Sequence, residues 1–120
     1  MISKTNPLYV KADLLAREVY KKCRLFPRDE IYGLTSQLRR AVLSIILNIV
    51  EGFARKGDKE FRRFLQISFG SLEEVRYLLE FSVEQEYLSV DEHKKLENLL
   101  DEVAKIIWSI LYSKETKKQD

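Results

Sequence analysis

Apolar residues recur every three or four positions along most of the chain, and the breaks in that rhythm divide it into four segments. The first runs through Leu8, Ala12, Leu15, Val19 and Cys23, one apolar face of a helix. Ahead of it, Asn6-Pro7 offers a capping side chain followed by the one helical position where proline is welcome. Phe26-Pro27 stops the pattern, so a helix is predicted over about residues 7–25. RDEIYG then reads as a short connection closed by Gly33.

The second segment, predicted helical over about 34–56, differs from an ordinary surface helix because AVLSIILNIV, Ala41 to Val50, is apolar nearly all round. A helix apolar on most sides has to be covered on most sides. Ten residues are too few to cross a bilayer, which takes about 20. The polar residues that interrupt it have a helical period of their own: Gln37, Arg40, Ser44, Asn48, Glu51 and Arg55 form one narrow seam with apolar flanks.

Gly57-Asp58 marks the next turn, with Asp58 as candidate N-cap of a third helix over about 58–86. Phe61, Phe64/Leu65, Ser68, Leu72, Val75 and Leu79 make its inward face. Gly70-Ser71 in mid-helix costs about 1 kcal/mol in propensity relative to alanine, which predicts close approach of another helix there. Ser89-Val-Asp-Glu92 is a capping box opening a fourth helix over about 90–113, with Leu96, Leu99/Leu100, Val103, Ile106/Ile107 and Ile110 as its seam. The remaining 114–120, KETKKQD, is polar and expected to fray. Four amphipathic helices with short links predict an all-α, antiparallel up-down-up-down four-helix bundle in a single domain.

Length and composition agree with that expectation: 120 residues, 45% apolar and 33% charged, only two prolines and four glycines. The opening residues carry Lys4, Lys11 and Asp13 and lack the apolar stretch of a secretory signal, so a cytoplasmic protein with no membrane partner is expected. Net charge is only +2, but residues 1–72 hold 14 Lys/Arg against 7 Asp/Glu and residues 73–102 hold 3 against 10. A basic side and an acidic side follow, suited either to nucleic acid on one face or to docking of identical subunits.

Catalytic chemistry finds little to work with. One histidine, His93, and one cysteine, Cys23, lie far apart, too few for a zinc set or a Cys/His nucleophilic pair. His93 is expected on the exposed first turn of the fourth helix, and Cys23 in the core as a small apolar group. The carboxylate pairs Glu73-Glu74, Asp91-Glu92 and Asp101-Glu102 are helical neighbours pointing about 100° apart and do not converge on one ion. No enzyme, metal or cofactor is therefore expected.

Two constellations remain. If the second and third helices form a hairpin about Gly57-Asp58, positions summing to roughly 115 face each other, which sets Arg39/Arg40 near Glu74 and Glu51 near Arg62/Arg63. The seam then reads either as register-fixing pairs or as part of a ligand or RNA site. The cluster Arg55, Lys56, Lys59, Arg62 and Arg63 flanks the same turn, with Phe53, Phe61 and Phe64 interleaved. It reads either as solvated helix surface or as a phosphate-contacting patch, diluted by Asp58 and Glu60.

FPRDEIYGLTSQLRRA, SIILNIVEGFAR and FLQISFGSLEE carry a resemblance to the four-helix-bundle proteins encoded in intervening sequences of 23S ribosomal RNA genes. The shared pattern covers Phe26, Pro27, Glu30, Tyr32, Gly33, Leu34, Gln37, Arg39, Arg40, Ala41, Ser44, Ile45, Asn48, Ile49, Glu51, Gly52, Arg55, Gly70, Ser71 and Glu74. Ile46, Leu47 and Val50 depart from it, being larger than the residues usual there. The resemblance implies a non-enzymatic homo-oligomer, a ring-shaped pentamer, associated with structured RNA. A more distant likeness to accessory proteins of diversity-generating retroelements implies a nucleic-acid enzyme as partner. Arg39, Arg40, Arg55, Lys56, Lys59, Arg62 and Arg63 are then the expected nucleic-acid contacts, and Gln37, Ser44, Asn48, Glu51 and Glu74 the structural seam. A scaffold that recognises protein alone is the alternative.

Overall fold

The computed structural model describes residues 1–113, and the tail expected to fray lies outside the described residues. Four helices run in alternating directions: α1 (Pro7–Cys23), α2 (Leu34–Ala54), α3 (Asp58–Glu84) and α4 (Val90–Tyr112). Each packs on two neighbours, α1 on α2 and α4, and α3 on α2 and α4. The fold is thus the antiparallel up-down-up-down bundle, 44 × 25 × 22 Å.

Local chemistry sets the helix ends. The Asn6 side chain accepts from the Leu8 N–H at 2.9 Å, ahead of Pro7 in the first turn. Beyond Cys23 the chain tightens into turns, Leu25 N–H to Lys22 and Phe26 N–H to Cys23, which tuck the buried Phe26 against the Tyr87 ring. A 3-10 turn at Arg28–Glu30 leads into α2. Gly33, the residue before α2, has no side chain to cap with, and the Glu30 carboxylate accepts from the Leu34 N–H at 3.1 Å instead. Its other oxygen accepts from the Tyr87 hydroxyl at 3.1 Å, tying the start of α2 to the α3–α4 link.

α2 stops at Ala54, where Arg55 turns extended, and Gly57 reverses the chain with φ +87°. Asp58 is the first residue of α3 and not its cap; its carboxylate takes the Arg62 guanidinium at 2.9 Å. The capping box at Ser89 and Glu92 is complete.

The core is drawn from all four helices and contains Phe61, Leu8, Leu15, Leu38, Ile45, Ile49, Leu72 and Leu100. Two of its buried hydroxyls are bonded, Ser68 donating to the Ile45 carbonyl and Ser82 to the Leu78 carbonyl, each at 2.7 Å, whereas the buried Thr35 Oγ1 has no hydrogen-bond partner among the described residues. Cys23 is in the core as expected; burial pushes its thiol up, against a smaller opposing pull from Arg39. The close approach expected at Gly70 is made by Gly52 instead. A Cβ on Gly52 would meet the Phe64 Cβ at 3.1 Å and the Phe61 carbonyl at 3.3 Å, whereas one on Gly70 would meet nothing within 4 Å.

Candidate nucleic-acid interface

The α2–α3 hairpin brings its charged residues to one end of the bundle because Gly52 lets the first turn of α3 lie directly on the last turn of α2. Phe61 fills the gap and meets Phe53 edge-on, with centroids 4.9 Å apart. Phe64, expected in the core, is half-buried and carries cations: the Arg55 guanidinium lies 5.0 Å and that of Arg63 4.8 Å from its ring centroid. Arg55 also reaches Glu51 at 3.2 Å, and Arg63 reaches Glu60 at 3.1 Å. Lys56 and Lys59 are exposed and have no ion-pair partner among the described residues.

Arg62, among the predicted contacts, is engaged within the fold. It is half-buried, donates to the Leu111 carbonyl at the C-terminal turn of α4 and pairs with Asp58. It therefore joins α3 to α4 across the end of the bundle.

The expected pairs across the hairpin are replaced by others. Glu74 accepts from the Gln37 amide at 2.6 Å, not from Arg39 or Arg40. Arg40 points to solvent with only a 3.5 Å contact to Gln37, and Arg39 is drawn the other way, its guanidinium 5.3 Å from the Tyr20 ring of α1. Glu51 pairs with Arg55, four residues on and just past the end of α2, and not with Arg62 or Arg63, since so near a partner is reached without crossing the aromatic rings between the helices. The register itself is as expected: the hydroxyls of Ser44 and Ser71, whose positions sum to 115, are 2.7 Å apart. Asn48 caps this pair, its amide donating to the Ser44 carbonyl at 2.8 Å and hydroxyl at 3.0 Å.

The charge asymmetry along the chain is partly neutralised inside the fold. Lys11 of α1 pairs with Glu102 of α4, and Lys22 with Glu92 at 3.1 Å. Arg76 sits among Glu73, Glu97 and Asp101. Burial works against its charge, but hydrogen bonds to Asp101 and Glu97 outweigh it and raise the pKa. His93 is half-buried and not exposed, with Nε2 3.5 Å from Glu97 Oε2.

A second surface feature is absent from the expectations drawn from periodicity. Phe69 of α3 and Trp108 and Tyr112 of α4 form a chain of rings, with centroids 5.7 Å and then 4.2 Å apart, on the outer side of the α3–α4 contact. Its signal is the spacing of Lys105, Trp108 and Tyr112, a second stripe offset from the core seam of Leu100, Val103 and Ile107.

Among the described residues no three His, Cys, Asp or Glu side chains are placed to hold a metal ion, and no helix is long and apolar enough to cross a membrane. No curated protein matches the chain. A protein of unknown function from the S23 ribosomal protein family of Bacteroides thetaiotaomicron has a similar structure, with TM-score 0.80 at 24% identity over 88% of this chain and 99% of that one. At that identity the likeness speaks for the fold. The sequence pattern of 23S rRNA-intervening sequence proteins matches residues 4–109, nearly the whole bundle and all three stretches that carried the resemblance. The chain belongs to the 23S rRNA-intervening sequence protein family.

Proposed function

We propose that this chain is a non-enzymatic, cytoplasmic RNA-associated bundle that grips the sugar-phosphate backbone of structured RNA at its α2–α3 end and does so as a homo-oligomer. The observation that carries the reading is the gathering of four cations at that end: Lys56 and Lys59 without ion-pair partners among the described residues, and Arg55 and Arg63 mounted over Phe64. A guanidinium steadied on an aromatic face has five donors, enough to serve a neighbouring carboxylate and a phosphate together. One such end neutralises few phosphates, so several copies presenting it together would multiply a weak contact. The family names supply the RNA association, and the family resemblance supplies the pentamer.

The affinity of the intact protein for a ribosomal-RNA hairpin across a salt series tests this, with light scattering in the same buffers. Lys56→Glu with Lys59→Glu and Arg63→Glu should weaken binding and flatten the log-log salt slope by about 0.7 to 0.9 for each phosphate that is no longer neutralised. Unchanged binding by the triple variant would sink the assignment to this end.

A second reading, a scaffold for a protein partner such as a nucleic-acid enzyme, is favoured by the apolar flank of the seam. Leu47 is 58% exposed, with Leu43 beside it on α2 and Ile67 also uncovered on α3. An intact oligomer that binds no RNA at low salt would turn the search to protein partners.

A further inference from the structure

We propose that the open groove between α3 and α4, floored by Phe69, Trp108 and Tyr112, is a stacking platform for an unpaired nucleobase of the RNA held at the α2–α3 end. The proposal rests on the RNA-binding reading above and adds to it a preference for RNA in which paired and unpaired nucleotides adjoin.

The groove is about 740 Å³, within the range of roughly 300–1,000 Å³ typical of small-ligand sites. Trp108 is 54% exposed and Tyr112 56% exposed, although α4 has a separate, fully apolar face for the core. The indole N–H has no acceptor among the described residues. Large rings with an open face bind bases in a sequence-tolerant way, because every base has a π-face.

The lining charges of the groove balance, Glu73 and Asp101 against Arg76 and Lys105, so the rings and the groove's position, rather than net charge, select this occupant. The groove's two carboxylates, Glu73 and Asp101, are both held by Arg76, at 3.1 and 2.9 Å. Lys105, one turn before Trp108, is exposed without an ion-pair partner among the described residues and is placed for the phosphate beside a stacked base. Position links the groove to the basic end: Tyr112 follows Leu111, whose carbonyl accepts from Arg62, and Arg62 lies on α3 between Lys59 and Arg63. A strand leaving a duplex seated at Lys56, Lys59 and Arg63 meets these rings next.

Trp108 is the chain's single tryptophan, so its emission reports on this groove alone. The full chain is titrated with a blunt RNA hairpin and with the same hairpin carrying a short single-stranded run of adenosines. The expected result is binding about ten-fold tighter with the overhang, quenching of Trp108, and loss of that gain in Trp108→Leu with part retained in Trp108→Phe. Blunt-hairpin affinity should be equal in all three. Should Trp108→Leu fail to fold, Lys105→Glu at an exposed position should reduce the overhang gain by itself.

An overhang that adds no affinity and leaves the emission unchanged, while the blunt hairpin still binds through Lys56, Lys59 and Arg63, overturns the platform alone. Quenching that survives the charge reversals instead overturns the α2–α3 assignment and leaves the platform standing. Absence of binding by either RNA overturns both.

Discussion

At the scale of single residues, the glycines within α2 and α3 have opposite consequences. Gly52 is where α3 lies on α2, with the Phe64 Cβ and the Phe61 carbonyl so near that an added methyl group would require them to give by a few tenths of an ångström. Gly52→Ala should therefore push the hairpin apart and destabilise the chain by about 1–3 kcal/mol, read from urea unfolding. Gly70 faces open space on α3. In the separate protomer Gly70→Ala should stabilise by roughly 0.5–1 kcal/mol, because it removes freedom only from the unfolded chain. Gly70→Ala that destabilises the protomer would mean that Gly70 is covered. Sequence pattern identifies both as glycines in a helix but not which one is crowded. Crowding depends on the rotation of α2 against α3, a property of the pair. The same limit explains the ion pairs that changed partners: the register about Gly57 was legible, whereas the choice of Glu51 for Arg55 over Arg62 was made by side-chain reach and by the rings between the helices.

At the scale of elements, caps were the most legible feature, because a cap is a contact between residues two or three apart. Asn6 and the Ser89/Glu92 box act as their types and spacing predict, and the helix ends shifted by a residue or two where Arg55 and Phe26 turned away. The capping of α2 was not legible, since it comes from Glu30 across a turn and through Tyr87. The α4 box carries a pH dependence. The Ser89 backbone N–H, then Lys22 and the Ser89 hydroxyl hold the Glu92 carboxyl below its ordinary value of 4.5. A depressed carboxyl stabilises the fold fully above its unfolded pKa and loses that contribution as pH falls through the folded value. The stability advantage over Glu92→Gln should thus be constant near neutrality and vanish on acidification below about pH 4.5. Ser89→Ala should cost about 1 kcal/mol and bring the remaining pH dependence closer to that of an unrestrained glutamate. Thermal melts of the three proteins across that range check both statements.

For the whole molecule, the bundle was legible because four stripes of helical period leave few other ways to bury them. The distribution of charge was only partly so: Lys11 and Lys22 of α1 each pair with one carboxylate of the acidic stretch, Glu102 and Glu92, while Arg76 pairs within the stretch itself. Docking of basic side to acidic side in the proposed homo-oligomer would therefore have somewhat less free charge to draw on than the sequence suggests, and apolar surface would have to contribute. The apolar stretch of α2 would offer it, since the fold covers Val42, Ile45 and Ile49 but leaves Leu47 mostly bare beside the Ser44–Asn48–Ser71 cluster. Leu47→Glu adds a charge where the protomer is already solvated, so the helical content and the unfolding midpoint of the separated protomer should be unchanged. A homo-oligomer seated on this flank should dissociate, because the charge would be buried without a partner. Light scattering across a dilution series decides between the outcomes. An oligomer that persists in Leu47→Glu removes the α2 flank from the interface and turns the search to the other exposed apolar residues, among them Val10 and Leu14 of α1 and Tyr77 of α3.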